Sequence, residues 1–364
     1  STITSLVSLN TADLPAPDYQ GIDYFDATLY EGNGTAIGSG GKAVTGVGFK
    51  PDFVWIKNRD ASDSHALYDV VRGTTKQIET DTTAIETTEA EGLSVFGSDG
   101  FTVGSLAEVN TSSEDYISWD WLAGGSASSN GSGSITSSVS AAAPGHFSIV
   151  GYNGNSTNGA TVGHSLGGTP ELIIFRGRGG SGASSFIWRV FNTTGGAGKY
   201  LRLNDSTALQ DDTGYLNNTL PNETVFTLGT DGDVNNSNYN YVAYCFRSVP
   251  GVCKIGSYEG NGASDGVYIS LGFRPRWFMV KNLDTAGQDW RIYDSTLDAA
   301  NPNIEFFKAN TNAAQISSSG FDFLADGVKA RDNNAGFNSA ATFVYVAFAD
   351  IASGAGLAPI YGGK

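Results

Sequence analysis

The amino-acid sequence predicts an all-β protein of three tandem antiparallel β-sandwich modules behind a short N-terminal arm. Three observations predict it. Gly accounts for 48 of 364 residues and charged side chains for only 16%, a sheet-and-turn composition, because Gly, Ser, Thr and Asn disfavour helices and populate turns. Four short motifs recur three times in one order. No segment sustains a helical period beyond roughly ten residues.

The first motif is a Tyr followed by a Gly-Asn turn: YEGNG at 30–34, YNGNS at 152–156 and YEGNG at 258–262. The second is a Gly-x-x-Pro strand entry, GFKPDFVWIK at 48–57, GGTPELIIFR at 167–176 and GFRPRWFMVK at 272–281. Its two-residue period puts Phe53, Trp55 and Lys57 on one face and Val54 and Ile56 on the other. Both faces are mainly apolar, which predicts an interior strand covered on both sides. Pro51 sits just ahead of it, where a missing N–H costs no ladder bond. The third motif is a short aromatic strand, HALYD at 65–69, WRVFN at 188–192 and WRIYD at 290–294. The fourth closes each unit: YISWDW at 116–121, YVAYCF at 241–246 and FVYVAF at 343–348. Stretches at 80–92 and 297–307 have room for a helical turn.

A repeat of about 100 residues exceeds the roughly 20–50 of thin solenoid repeats and suits a sandwich. The boundaries that follow are an arm at 1–24 and modules at 25–122, 140–249 and 250–351, with a tail at 352–364. The Gly/Ser-rich stretch 123–139 reads as a tether or a lone strand. The arm, which precedes the first core, is the candidate for docking to a larger assembly.

The balance of 21 basic to 37 acidic residues gives a formal charge of −16. Such a surface repels phosphate backbones and argues against nucleic acid as a partner. No run approaches the roughly 18 apolar residues of a membrane span, so membrane insertion is not expected. The start STITSLVSLN lacks the basic residues and apolar core of a secretion signal. Cys245 and Cys253 flank a Val-Pro-Gly turn; two small half-buried thiols are the favoured reading, and a bridge across the turn is the alternative.

No motif in the chain assembles a catalytic or cofactor site. The spacing Gly177, Gly179, Gly182 matches G-x-G-x-x-G, but a strand follows it where a dinucleotide fold needs a helix, so a hairpin loop is expected. His65, His146 and His164 fall outside any His/Asp/Ser setting and are absent from the sister repeats, which predicts surface or loop histidines. Glu31 and Glu259 recur in the Tyr-Glu-Gly-Asn-Gly turn, but the middle copy has Asn153, so a turn role accounts for them better than paired carboxylates. Asp231, Asp233 and Asn235 offer alternating oxygen ligands for calcium, without the twelfth-position Glu or flanking helices of an EF-hand; an Asx-rich turn is expected and no metal. Trp188 and Trp290 occupy equivalent positions, with His65 in the first repeat. Exposed, they would make a lectin-like platform for a glycan; their strand context places them in the core.

GVGFKPDFVWIKNRDASDSHALYDVVRGTTK at 46–76, DGFTVG at 99–104 and the stretch WLAGGSASSNGSGSITSSVSA resemble repeat modules of tail-fibre and other virion proteins of marine bacteriophages. TLGTDGDVNNSNYNYVAYCF, KIGSYEGNGASDG and GFRPRWFMVKNLDTAGQDWRIYD resemble the same modules. The resemblance spans about residues 24–350. It implies a non-enzymatic virion protein in a tail fibre, a tail tip or a capsid-attached appendage. Its implied partners are other virion proteins, further copies of the chain (a trimer, as in fibres) and a host-surface glycan. No cofactor is implied. The alternatives are a secreted carbohydrate-binding protein and, behind it, a polysaccharide depolymerase.

Overall fold

The computed structural model describes residues 19–350; the tail at 352–364 and the part of the arm before Tyr19 lie outside the described residues. The protein is all-β, built of antiparallel sheets. Each repeat supplies one large sheet with the same strand order. In the first, the opening strand Phe25–Glu31 pairs with the closing strand Asp115–Trp121, followed by the Pro-led strand Phe53–Asn58, the aromatic strand Ala66–Asp69 and a fifth strand Gly73–Glu79. The second runs Phe147–Asn153, Tyr239–Phe246, Leu172–Gly180, Arg189–Asn192, Lys199–Arg202. The third runs Cys253–Glu259, Thr342–Ala349, Pro275–Asn282, Arg291–Asp294, Asn303–Lys308.

Two recurring glycines have distinct physical causes. Gly48, Gly167 and Gly272, which open the Gly-x-x-Pro motif, sit at φ 83°, 72° and 84°, where a Cβ is sterically strained. In the Tyr-x-Gly-Asn turn a Cβ on Gly32, Gly154 or Gly260 would stand 2.0, 2.3 or 2.0 Å from the carbonyl oxygen of Thr111, Asn236 or Ser339. That carbonyl belongs to the turn ahead of the closing strand, so these glycines let two backbones touch. Helical turns lie just upstream, at Ala107–Asn110 and Gly232–Asn235. The stretches at 80–92 and 297–307, which had room for a helical turn, contribute the strands Thr87–Thr88 and Asn303–Lys308.

A buried amide ends the two helical segments and, in the third repeat, the turn at 335–338. Asn110, Asn235 and Asn338 accept the backbone N–H of Asn33, Asn155 and Asn261 at 2.8, 2.9 and 3.2 Å. They donate to Gly104, Gly229 and Asp332 carbonyls at 2.8, 2.7 and 2.9 Å. The hydroxyls of Tyr30, Tyr152 and Tyr258 close the same knot on the carbonyls of Val109, Val234 and Phe337, at 2.8, 2.9 and 2.6 Å.

Both faces of the Pro-led strands at the centre of the large sheets are buried, as their double-sided apolar pattern predicts. One face of each packs on its own outer layer, which makes the fold sandwich-like. In the first repeat that layer is the small sheet of Lys42–Thr45, Gly100–Val103 and Leu93–Gly97, over Val54, Ile56 and Tyr68. The opposite faces of all three sheets meet in one common core. Trp55, Trp119 and Trp121 of the first pack there with Ile174, Tyr244 and Phe246 of the second and Trp277, Met279 and Phe348 of the third. A cavity of ≈ 20 Å³ remains among these side chains, apolar on every side and therefore a poor host for water.

The Gly/Ser stretch 123–139 is built into the second sheet rather than hanging between modules. Ser128–Asn130 pairs with Ser137–Ala141, and that strand runs along the opening strand Phe147–Asn153. Ile135 and Val139 explain why: both sink into the outer core of the second repeat, at 7% and 3% exposure.

Candidate functional site

The turn at 231–235 already holds a cation, supplied by the chain itself. Arg189 places one guanidinium nitrogen 2.6 Å from Asp231 Oδ2 and 3.1 Å from Asp233 Oδ2, and another 3.1 Å from Asp212 Oδ2. Its planar head lies 3.9 Å above the Tyr200 ring. Asn235 points away, donating to Gly229 and Thr157 carbonyls. Burial pushes the Asp231 carboxyl up to about 6 against the pull of Arg189. The candidate calcium ligands Asp231, Asp233 and Asn235 therefore form an ion-paired turn around Arg189. Among the described residues no group of three or more His, Cys, Asp or Glu side chains is placed to hold a metal.

Trp188 and Trp290 are 0% and 1% exposed, in the core as their strand context predicts, and the alternative of a glycan platform on them falls because neither has a free ring face. Each joins two repeats. Trp188 Nε1 donates to the carbonyl of Glu79 at 2.8 Å and Trp290 Nε1 to that of Arg202 at 2.7 Å. His65 fills the same role in the first repeat. Its Nδ1 accepts from Trp55 Nε1 at 2.8 Å, which leaves the proton on Nε2, 3.1 Å from the carbonyl of Lys308. Glu79, Arg202 and Lys308 each end the fifth strand of their sheet. The three bonds run second to first, third to second and first to third, so the repeats close into a ring.

One further set of bonds repeats the whole cycle and another repeats two of its three steps. Glu86, Leu209 and Gln315 donate their N–H to the carbonyls of Arg178, Leu283 and Arg59, at 2.8, 2.8 and 2.9 Å. From equivalent places in the closing strands, Tyr244 donates to Asp69 at 2.8 Å and Trp119 to Asp294 at 3.1 Å. Val346 holds the equivalent place in the third closing strand and cannot donate, and Asn192 Nδ2 is buried without a partner.

Lys57, Arg176 and Lys281 occupy one position in the three Pro-led strands, and all are 0% exposed. Backbone carbonyls satisfy them: Asn58 and Ala61 for Lys57 at 2.9 and 3.3 Å, Gln288 and Ser206 for Lys281 at 2.6 and 3.4 Å, Phe186 and Ala84 for Arg176. Burial pushes both lysines down to about 8 and Arg176 to about 10. A lowered amine is a nucleophile's hallmark, but these amines are enclosed and each is engaged with main-chain oxygens. The alternation in sequence puts them on the aromatic face without showing that the charge itself is buried.

Of the expected surface or loop histidines, His65, His146 and His164 do lie in loops, but all are 0% exposed rather than on the surface. His164 accepts the Leu166 N–H at 3.1 Å and contacts the Asn222 carbonyl at 3.0 Å. His146 packs against Tyr24, with ring centroids 5.0 Å apart. Cys245 and Cys253 are free and buried, and burial pushes both thiols well up. Gly177 and Gly179 lie in the strand Leu172–Gly180, where a bulge separates them, and Gly182 follows in a turn at φ 82°. Asp26 and Asp120 face each other across the opening and closing strands. Both are buried, and Asp26 is held by Arg276 at 2.7 Å.

One open polar cleft, of ≈ 380 Å³, lies where the second sheet meets Val71 of the first repeat. Ser129, Ser137, Ser138, Asn153, Arg178 and Asn240 line it. Glu86 grips Arg178 bidentately at 2.8 and 2.9 Å, which leaves hydroxyls and amides to meet a ligand. The buried Oδ1 of Asn240 has no partner. Nothing in the shared motifs predicts this cleft, because it depends on Ser128–Asn130 and Ser137–Ala141, strands without a counterpart in the other repeats among the described residues.

Residues 20–351 match a family described as a domain of unknown function (DUF7483). No curated protein matches the chain.

Proposed function

Because the chain belongs to the DUF7483 domain family across residues 20–351, whose description assigns no chemistry, we propose its function from how its repeated residues are used. It is a structural protein of a bacteriophage virion, part of a tail fibre, tail tip or capsid-attached appendage, and it acts by assembly. One observation carries this reading. The side chains that recur are spent on packing: the Tyr hydroxyls and Asn amides on turns, the Trp indoles on joints between repeats and the buried cations on main-chain carbonyls. The resemblance of its motifs to virion modules of marine phages supplies the setting. Gold-labelled antibody against the chain, applied to purified particles, tests the assignment. Labelling confined to one appendage is the expected result; label only on free protein would remove it.

The polar cleft favours host-surface contact as part of that role, with a hydroxyl-rich saccharide as its ligand. A glycan array probed with the intact chain should give a specific saccharide signal that falls when Ser138→Trp fills the cleft. Signal unaffected by that change would place contact elsewhere. Release of reducing ends from a bound glycan would replace the structural reading with that of a depolymerase.

A further inference from the structure

Three opening strands are equivalent, yet among the described residues only one is covered on both sides. Phe147–Asn153 has Tyr239–Phe246 on one edge and Ser137–Ala141 on the other. Phe25–Glu31 pairs with Asp115–Trp121 alone, and Cys253–Glu259 with Thr342–Ala349 alone. A bare strand edge is a template for another strand, and folded proteins seldom leave one unguarded. Cys253–Glu259 has a local guard, since the Ile255 N–H donates to Ser248 Oγ at 3.0 Å. On Phe25–Glu31 the guard is partial. Asp26 accepts the Ala27 N–H at 2.8 Å and Arg276 donates to the Ala27 carbonyl at 3.1 Å.

Beyond Ala27 no strand among the described residues covers the edge. The bonds Leu122 N–H to Tyr24 and Gly32 N–H to Glu114 put the even positions in hydrogen bonds with the closing strand. Leu29 and Glu31 therefore turn their backbone groups outward. Leu29 is also 40% exposed, one of few large apolar side chains so placed among the described residues.

The sequence contains a second copy of the strand that covers this edge in the middle repeat. Residues 135–141 read ITSSVSA and residues 3–9 read ITSLVSL. The change between them matches the change in what they would face. Ser138 stands opposite Gly151, whose counterpart in the first repeat is Leu29; the residue matching Ser138 is Leu6. A small pair in one repeat becomes a leucine pair in the other. Likewise Val139 stands opposite Val150, which transfers to Val7 opposite Thr28.

We propose that residues 3–9 dock in cis as an added antiparallel strand on the outer edge of Phe25–Glu31, with Leu6 covering Leu29. The backbone bonds form at Leu29 and Glu31, past the Asp26–Arg276 guard. Residues 10–18 span up to about 30 Å when extended, ample for the return.

Hydrogen exchange on the full chain and on a variant lacking residues 1–9 tests this. The amides of Leu29 and Glu31 should exchange about tenfold faster in the shortened chain, as expected when a strand cover is removed. The Gly151 amide, covered by Ser138 in both, should not change and reports that the fold is intact. Equal rates at Leu29 and Glu31 would overturn the proposal. A second measurement fixes register and partner. Val7→Cys with Thr28→Cys, a non-hydrogen-bonded pair of suitable separation, should form an intramolecular bridge on mild oxidation. The shifted pair Leu6→Cys with Thr28→Cys should not. A bridged dimer, or no bridge while Gly151 stays protected, would overturn docking in cis.

Discussion

Burial of three imidazoles gives the molecule an acid sensitivity that its charge total does not disclose. Desolvation pushes His65 and His164 below the ordinary histidine range and His146 down to about 3. The unfolded chain binds a proton near pH 6.5 that the folded chain refuses, so this stability is present above 6.5 and lost as pH falls. Between pH 6.5 and 5 each such group removes up to about 2 kcal/mol. Asp294 opposes them: burial lifts its carboxyl to about 6, so its contribution is present at low pH and lost as pH rises through that value. His146→Phe separates the two. Urea midpoints between pH 7 and 5 should vary less in the variant than in the parent, and an unchanged slope would exonerate His146. At the acidic turn, Arg189→Met leaves three carboxylates without their cation and should cost about 3 kcal/mol. Calcium should then raise the Tm of the variant but not of the parent. The oxygen pattern at 231–235 was legible in sequence; the arginine that answers it, 42 positions before Asp231, was not.

At the scale of elements, the knot of Tyr, Gly and Asn is what sets each opening turn against the helical segment before the closing strand. Asn235→Ala removes one acceptor and two donated bonds from a buried site and should destabilise by about 3 kcal/mol, at the upper end for unmet polar groups. Chemical denaturation measures it; a loss under about 0.5 kcal/mol, the ordinary surface range, would show that the turn stands without its pin. The strands themselves were legible because Pro and alternating apolar residues mark both their entry and their faces. The helical segments were not, since four residues are too few to show a period. The strand Ser137–Ala141 was only half legible: its Ser and Ala content left tether and lone strand both open, and only Ile135 and Val139 betray a buried side.

For the whole molecule, three sheets around one core make the repeats interdependent rather than beads in series. Heating should therefore melt the protein in a single transition, with tryptophan fluorescence and far-UV dichroism superimposing; resolved steps would mean that the repeats are autonomous. The repetition that three fibre chains supply by association is present here within one chain, so we expect light scattering to give the monomer mass of 38.0 kDa, and a mass three times larger would restore the trimer. Repeat number and order were legible from motifs, but ring closure was not, because it runs through main-chain carbonyls and through His65 standing in for Trp. Closure has a mechanical corollary. Two of the joints are also crossed by the polypeptide, whereas the joint from third repeat to first is held only by contacts such as Arg276 with Asp26 and Gln315 with Arg59. Tyr19 and Asp350, where the described chain begins and ends, both belong to repeats that meet there. Tension applied to the two ends would load that seam before any strand is sheared, and the hoop would open at the weld that no covalent bond reinforces.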